Sequence, residues 1–165
     1  MTDTAPASGP ERTALIRIGG IATLAGIVIH IVLNMVLKEF PSEDLTGAQL
    51  AEYFAAEQSN WTIIHGMRYV AFACMVLFAA ALFARTCLVR ERPPIGWGIV
   101  GLLGAGIFVT SGMITNGIEA LAFLGIDGIA DRPDLFWALF SLTRVLFTAE
   151  VVAWGIFIFG FSVAG

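Results

Sequence analysis

Residues 17–37 read RIGGIATLAGIVIHIVLNMVL, a run whose only strongly polar members past the leading arginine are His30 and Asn34. At a helical rise of about 1.5 Å per residue the run covers about 30 Å, the thickness of a bilayer's hydrocarbon core. No small-residue cleavage site follows it, so it reads as a retained membrane helix and not as a signal peptide. Three more runs of the same character lie at residues 61–84, 95–124 and 135–163. The prediction is an all-α integral membrane four-helix bundle over residues 15–165. The Ala, Pro, Ser and Thr of residues 1–14 form a disordered cytoplasmic tail in this reading.

Composition agrees with that architecture. With 58% hydrophobic and 13% charged residues, the 165-residue chain falls well short of the roughly one quarter charged residues of a soluble domain, so its main solvent is the lipid bilayer. The formal charge of −4 excludes the basic footprint that nucleic-acid binding requires. Cys74 and Cys87 are thirteen positions apart on one predicted helix, roughly 20 Å along its axis, too far to bridge each other.

Orientation follows from lysine and arginine in the flanks. Arg12 and Arg17 precede the first span, and Arg85, Arg90 and Arg92 sit between the second and third. The opposite loops hold Lys38 and Arg132 among Glu39, Glu43, Asp44, Glu52, Glu57, Asp127, Asp131 and Asp134. Five basic residues against two put both termini in the cytoplasm of a multi-pass protein of the plasma (inner) membrane. In the first outer loop, which Pro41 opens, Thr46 and Gln49 fit a capping box, with Leu45 and Leu50 placed as the hydrophobic staple. A short amphipathic helix is predicted there, with Leu50, Tyr53 and Phe54 on one face and Glu52 and Glu57 away from it. It lies on the membrane surface or over the mouth of the bundle.

Function, if the spans carry one, lies in their ionisable residues, because a charge in hydrocarbon costs about 2.5 to 3.5 kcal/mol even on lenient insertion scales. Measured from the outer helix ends, His65 lies roughly 6 Å deep, Glu119 about 8, Arg68 about 10, His30 about 12, Arg144 about 13 and Glu150 about 22. Asn34, Thr115, Asn116 and Thr148 add hydrogen-bonding groups near the same levels. Phase groups them further: Trp61, His65 and Arg68 share one helix face, as do His30 with Asn34 and Gly112 with Thr115 and Glu119. Arg144 and Glu150 are six positions apart, so Glu150 can have a different neighbour.

Several readings of this layer stay open. The plainest is structural: arginines and glutamates neutralise one another and hold the helices in register. The alternative is a pocket between the helices for a small lipid-soluble ligand, with Asn34, Thr115, Asn116, Glu119, Thr148 and Glu150 as its polar lining. Its cofactor form is a b-type haem, with His30 and His65 as axial ligands and Arg68 and Arg144 at the propionates. A membrane enzyme would use Glu119 or His65 to move a proton, while Arg68 stabilises developing negative charge on a lipid-soluble substrate. A proton or ion path through Glu150 needs more helices than four, hence an oligomer. A small bundle with no soluble domain also suits an accessory subunit of a larger membrane complex, or a homo-oligomer.

Other chemistry finds little footing. No HExxH, clustered Cys/His spacing or carboxylate pair at helical spacing points to a metal other than haem iron, although His30, His65 and Glu119 form one conceivable three-ligand set. Gly96, Gly98, Gly101, Gly104 and Gly106 lie within a span and read as close helix packing, with Gly101 and Ala105 a small-xxx-small pair. Trp61, Trp97 and Trp137 stand near span ends, where indoles settle at the lipid–water boundary; Trp154 is deeper. The six phenylalanines Phe136, Phe140, Phe147, Phe157, Phe159 and Phe161 surround the last helix, so several face lipid. A short polar tail, an acidic loop after the first span and a Trp plus His opening the second resemble the layout of bacterial multi-span membrane proteins, a resemblance that implies no particular activity.

Overall fold

A computed structural model describes residues 10–36, 44–87, 94–123 and 132–165. Five helices make up the described chain: α1 (Pro10–Val36), α2 (Gly47–Ala56), α3 (Gln58–Cys87), α4 (Ile95–Phe123) and α5 (Pro133–Ala164). All but α2 are long and apolar enough to cross a membrane, and the chain is a multi-pass membrane protein. The N-terminal residues 1–9, Pro41, Pro93 and the loop charges Lys38, Glu39, Glu43, Arg90, Arg92, Asp127 and Asp131 lie outside the described residues.

The helices run past the apolar spans that define them. α1 begins at Pro10, inside the stretch predicted as tail; proline suits a first helical turn, where its missing N–H costs no bond. At 27 to 32 residues, the long helices exceed the roughly 20 that a hydrocarbon core needs, so they tilt or project beyond it. α2 starts where the capping box directs. The Thr46 backbone N–H donates to Gln49 Oε1 at 2.9 Å, and the Gln49 N–H donates to Thr46 Oγ1 at 3.4 Å. Such caps contribute about 1 kcal/mol.

Close approaches give the topology. Gly19 lies against Ala81 and Gly26 against Cys74, so α1 and α3 are antiparallel; Gly98 against Phe83 and Gly112 against Phe72 do the same for α3 and α4. Gly101 against Phe161 and Gly104 against Phe157 set α4 and α5 antiparallel. The order around the bundle is therefore α1, α3, α4, α5, and it does not close. Among the described residues no Cα of α1 comes within 8 Å of α4 or α5.

Two clusters hold this arrangement. At the α2 end, Leu50 and Phe54 are fully buried against Trp61, Ile64, Phe136, Phe140 and Leu33. Phe54 meets Trp61 edge to face at 5.0 Å between centroids, a geometry favoured by the ring quadrupoles. Trp61 is only 2% exposed; the boundary position predicted for it gives way to burial because α2 folds back over the end of α3. Trp97 and Trp137 remain on the surface. At the other end Ala79, Ala105, Phe157 and Phe161 pack together. Phe159 faces outward, where lipid is the natural solvent for it.

The predicted glycine packing holds in part. Gly98, Gly101 and Gly104 are buried at contacts that a Cβ would obstruct, whereas Gly96 and Gly106 face open space. Helical phase separates the two sets, since 98, 101 and 104 lie on a face that 96 and 106 do not share.

Candidate functional site

The polar layer lies just beneath the α2 end, built by α3 and α4. His65 and Arg68 are one turn apart on α3 and face Asn116 and Glu119, one turn apart on antiparallel α4. Arg68 Nη1 donates to Glu119 Oε2 at 2.5 Å, with the glutamate side chain 3% exposed and the arginine 21%. A charge-assisted bond of that length is among the stronger side-chain contacts. Asn116, 1% exposed, pairs twice with His65. Its Nδ2 donates to the His65 carbonyl at 3.3 Å, and its Oδ1 meets the imidazole Nδ1.

That double contact assigns the imidazole tautomer. Only the amide nitrogen can donate to a carbonyl, so Oδ1 accepts and Nδ1 carries the hydrogen. The other ring nitrogen, Nε2, lies 3.6 Å from Glu119 Oε2. Glu119 thus sits between an arginine and a histidine, all three held by packing.

A second contact ties α4 to α5. Thr115 Oγ1 donates to Glu150 Oε1 at 3.0 Å. The hydroxyls of Thr23, Thr62, Thr86, Thr143 and Thr148 instead return to carbonyls of their own helices at 2.6 to 3.2 Å. Local return is how a hydroxyl is satisfied in a helix lying in lipid. Thr115 departs from that habit because Glu150 is across from it.

Beside these contacts is a cavity of about 560 Å³ whose wall includes His30, Arg68, Asn116, Glu119, Arg144 and Glu150. This volume falls within the range of small-molecule sites. Residues of both α1 and α5 line it, although among the described residues no Cα atoms of those two helices come within 8 Å of each other. The cavity therefore occupies the gap between them, facing the side of the bundle where lipid would lie.

The predicted site residues separate into groups on this geometry. His30, Arg68, Thr115, Asn116, Glu119, Arg144 and Glu150 share the one cavity. Thr148 does not line it, being exposed and bonded to the Arg144 carbonyl. The Asn34 side chain lies outside the described residues. His65 stands behind the wall, its two ring nitrogens turned to Asn116 and Glu119. That placement does not suit an axial haem ligand opposite His30, which needs a ring nitrogen aimed at the iron. The described residues hold no group of three or more His, Cys, Asp or Glu side chains suited to a metal ion, so the set His30, His65 and Glu119 is not assembled.

Ala71, Phe72, Phe108, Thr143 and Phe147 also line the cavity, and sequence reasoning passed over them. A signal was available for two: Phe72 lies four positions beyond Arg68, and Phe108 four before Gly112, each continuing a face already marked as polar. Arg144 holds its guanidinium 5.5 Å from the Phe140 ring centroid, a cation–π contact at the cavity rim. Comparison with known protein families, characterised proteins and solved structures finds no match for this chain.

Proposed function

We propose that this protein binds a small lipid-soluble ligand in the polar cavity and admits it sideways from the bilayer between α1 and α5. The observation that carries the reading is the cavity itself: about 560 Å³, lined by residues from all four long helices, in the gap between two helices whose described Cα atoms stay more than 8 Å apart. Ion pairs serving only as glue would draw the helices together around them and leave no such space. In the proposed orientation the α2 end faces outward and both termini face the cytoplasm, from the basic residues flanking the spans.

Catalysis is the second reading, favoured by Glu119, whose carboxylate lines the cavity while touching Arg68 and lying 3.6 Å from His65 Nε2. A proton exchanged between Glu119 and a bound substrate could be passed to or from His65 behind it. An accessory or homo-oligomeric role would instead fill the α1–α5 gap with a helix of another chain.

The test is mass spectrometry of what copurifies with the protein in mild detergent, compared with Ala71→Trp. Ala71 lines the cavity without taking part in its ion pairs, and an indole there fills it. A near-stoichiometric small molecule in the wild type, lost from the variant, supports the pocket. A wild type with no such molecule, or equal amounts in both, sinks it. An absorption spectrum of the same sample addresses haem directly: a Soret band that disappears in His30→Ala would make haem the ligand.

A further inference from the structure

A second cavity, also about 560 Å³, is lined by Ala22, Gly26, Cys74, Met75, Phe78 and Trp154 among others. It shares His30, Ala71, Phe108, Phe147 and Glu150 with the polar one. The two are therefore adjoining chambers of one cleft. From His30 the second chamber follows α1 back to Ala22, eight residues or about 12 Å. Its walls are small or apolar side chains on α1 and α3 and aromatic rings on α4 and α5; Glu150, the only acidic or basic residue among them other than His30, is at the junction.

Building on the binding reading above, we infer that the ligand is a neutral amphiphile with one linear apolar chain. Its hydroxyl or carbonyl head occupies the polar chamber, and its chain lies in the second chamber toward Ala22. Charge decides the head. Arg68 and Arg144 are matched by Glu119 and Glu150 in the lining, and Arg68 is already bonded to Glu119. A head with a net charge would enter a charge-balanced site in a low-dielectric surround and remain uncompensated. A neutral head needs only donors and acceptors, which the arginines and the glutamates supply. Shape decides the chain. The slot runs along the bundle, and Gly26 leaves it open because no side chain projects from α1 there; a Cβ would stand 3.5 Å from that of Cys74, an ordinary contact.

The experiment uses the full chain in lipid nanodiscs with three diazirine probes: a long-chain primary alcohol, the carboxylic acid of matched chain, and a short-chain alcohol. Labelled positions are mapped by mass spectrometry. The long alcohol should label the chamber-lining residues Ala22, Gly26, His30, Ala71, Cys74 and Phe78 saturably, at least tenfold more than the acid. Gly26→Leu should cut that labelling about tenfold. Gly20→Leu, on the same helix with nothing within 4 Å of its added Cβ, should not, and a melting curve for each variant verifies folding.

Failure of the inference and failure of the pocket look different. If the short alcohol labels Arg68 to Phe72 as well as the long one does and Gly26→Leu changes nothing, the polar chamber stands and the two-chamber ligand is wrong. Equal labelling by the acid overturns the neutral head alone. Labelling that never saturates and spreads over the outward residues Ile21, Leu24 and Val28 reports bulk lipid and overturns both. Crosslinks between copies through α1 and α5, with no saturable labelling, would give the gap to a second chain and likewise overturn both.

Discussion

The seam between α4 and α5 and the gap between α1 and α5 are made from the same kinds of residue and end in opposite states. At the seam, Gly101, Gly104 and Gly160 remove side chains where the two backbones meet. A Cβ on Gly160 would stand 2.7 Å from Gly101 Cα, and one on Gly104 would stand 2.9 Å from Phe157 Cα. At the gap, Gly26 and Ala22 are also small, and α1 packs there on α3, Gly26 against Cys74, while α5 stays away. Opposite them stand Phe108, Phe147 and Trp154, rings too large for a backbone to approach. A small residue in lipid closes an interface when a facing backbone or ring seats on it, as at Gly104 and Gly101; at Gly26 no atom of α4 or α5 lies within 4 Å of an added Cβ, and the same absence becomes space.

The comparison can be broken most forcefully at the seam. Gly160→Leu drives a branched side chain into the α4 backbone, and overpacking that forces backbone shifts costs about 3 kcal/mol. The expected outcome is loss of the monodisperse species in detergent chromatography; an unchanged elution profile and melting temperature would mean that the seam is not closed. Next in size is the joint between the α1–α3 half and the α4–α5 half. Arg68→Met leaves the Glu119 carboxylate buried without its partner, with an expected loss of about 3 kcal/mol in a denaturant titration. Adding Glu119→Gln should recover most of that loss, whereas equal destabilisation by the double variant would show that the pair does not bridge the halves.

Smaller effects sharpen the contrast. Gly106 faces open space, so Gly106→Ala should gain up to about 1 kcal/mol of helix propensity or leave stability unchanged. A loss comparable with Gly160→Leu would place Gly106 at an interface. The smallest effect is expected across the gap. With Cys74 and Cys87 replaced by serine, the pair Ile27→Cys and Val151→Cys should resist oxidation to a disulfide, because the α1 and α5 Cα atoms stay more than 8 Å apart and a disulfide needs less than about 7 Å. A long bifunctional thiol reagent should join them, and rapid disulfide formation would mean that the gap closes in solution.

Much of this could be read from the residues in order. The four spans and the capped helix at Gly47–Ala56 follow from local pattern, because helix length, capping and hydropathy depend on residues within a few turns. The same locality led to errors. Trp61 looked like an interfacial indole because nothing near it in sequence announces that Phe54 and Phe136 will cover it. That Asn116 is the neighbour of His65 was likewise out of reach, because it required knowing which helix faces which.

What the sequence determined by itself is that the chain suits lipid and that four of its helices are long and apolar enough to cross it. Each of those is a sum over neighbouring residues of transfer free energy. Only the tertiary structure decided that Arg68 takes Glu119, that Asn116 takes His65, and that α1 and α5 stand apart around a cavity. In lipid no hydrophobic force selects one helix pairing over another, so the choice falls to backbone approach, side-chain volume and hydrogen-bond matching between residues some fifty positions apart, as with 65 and 116 or 68 and 119.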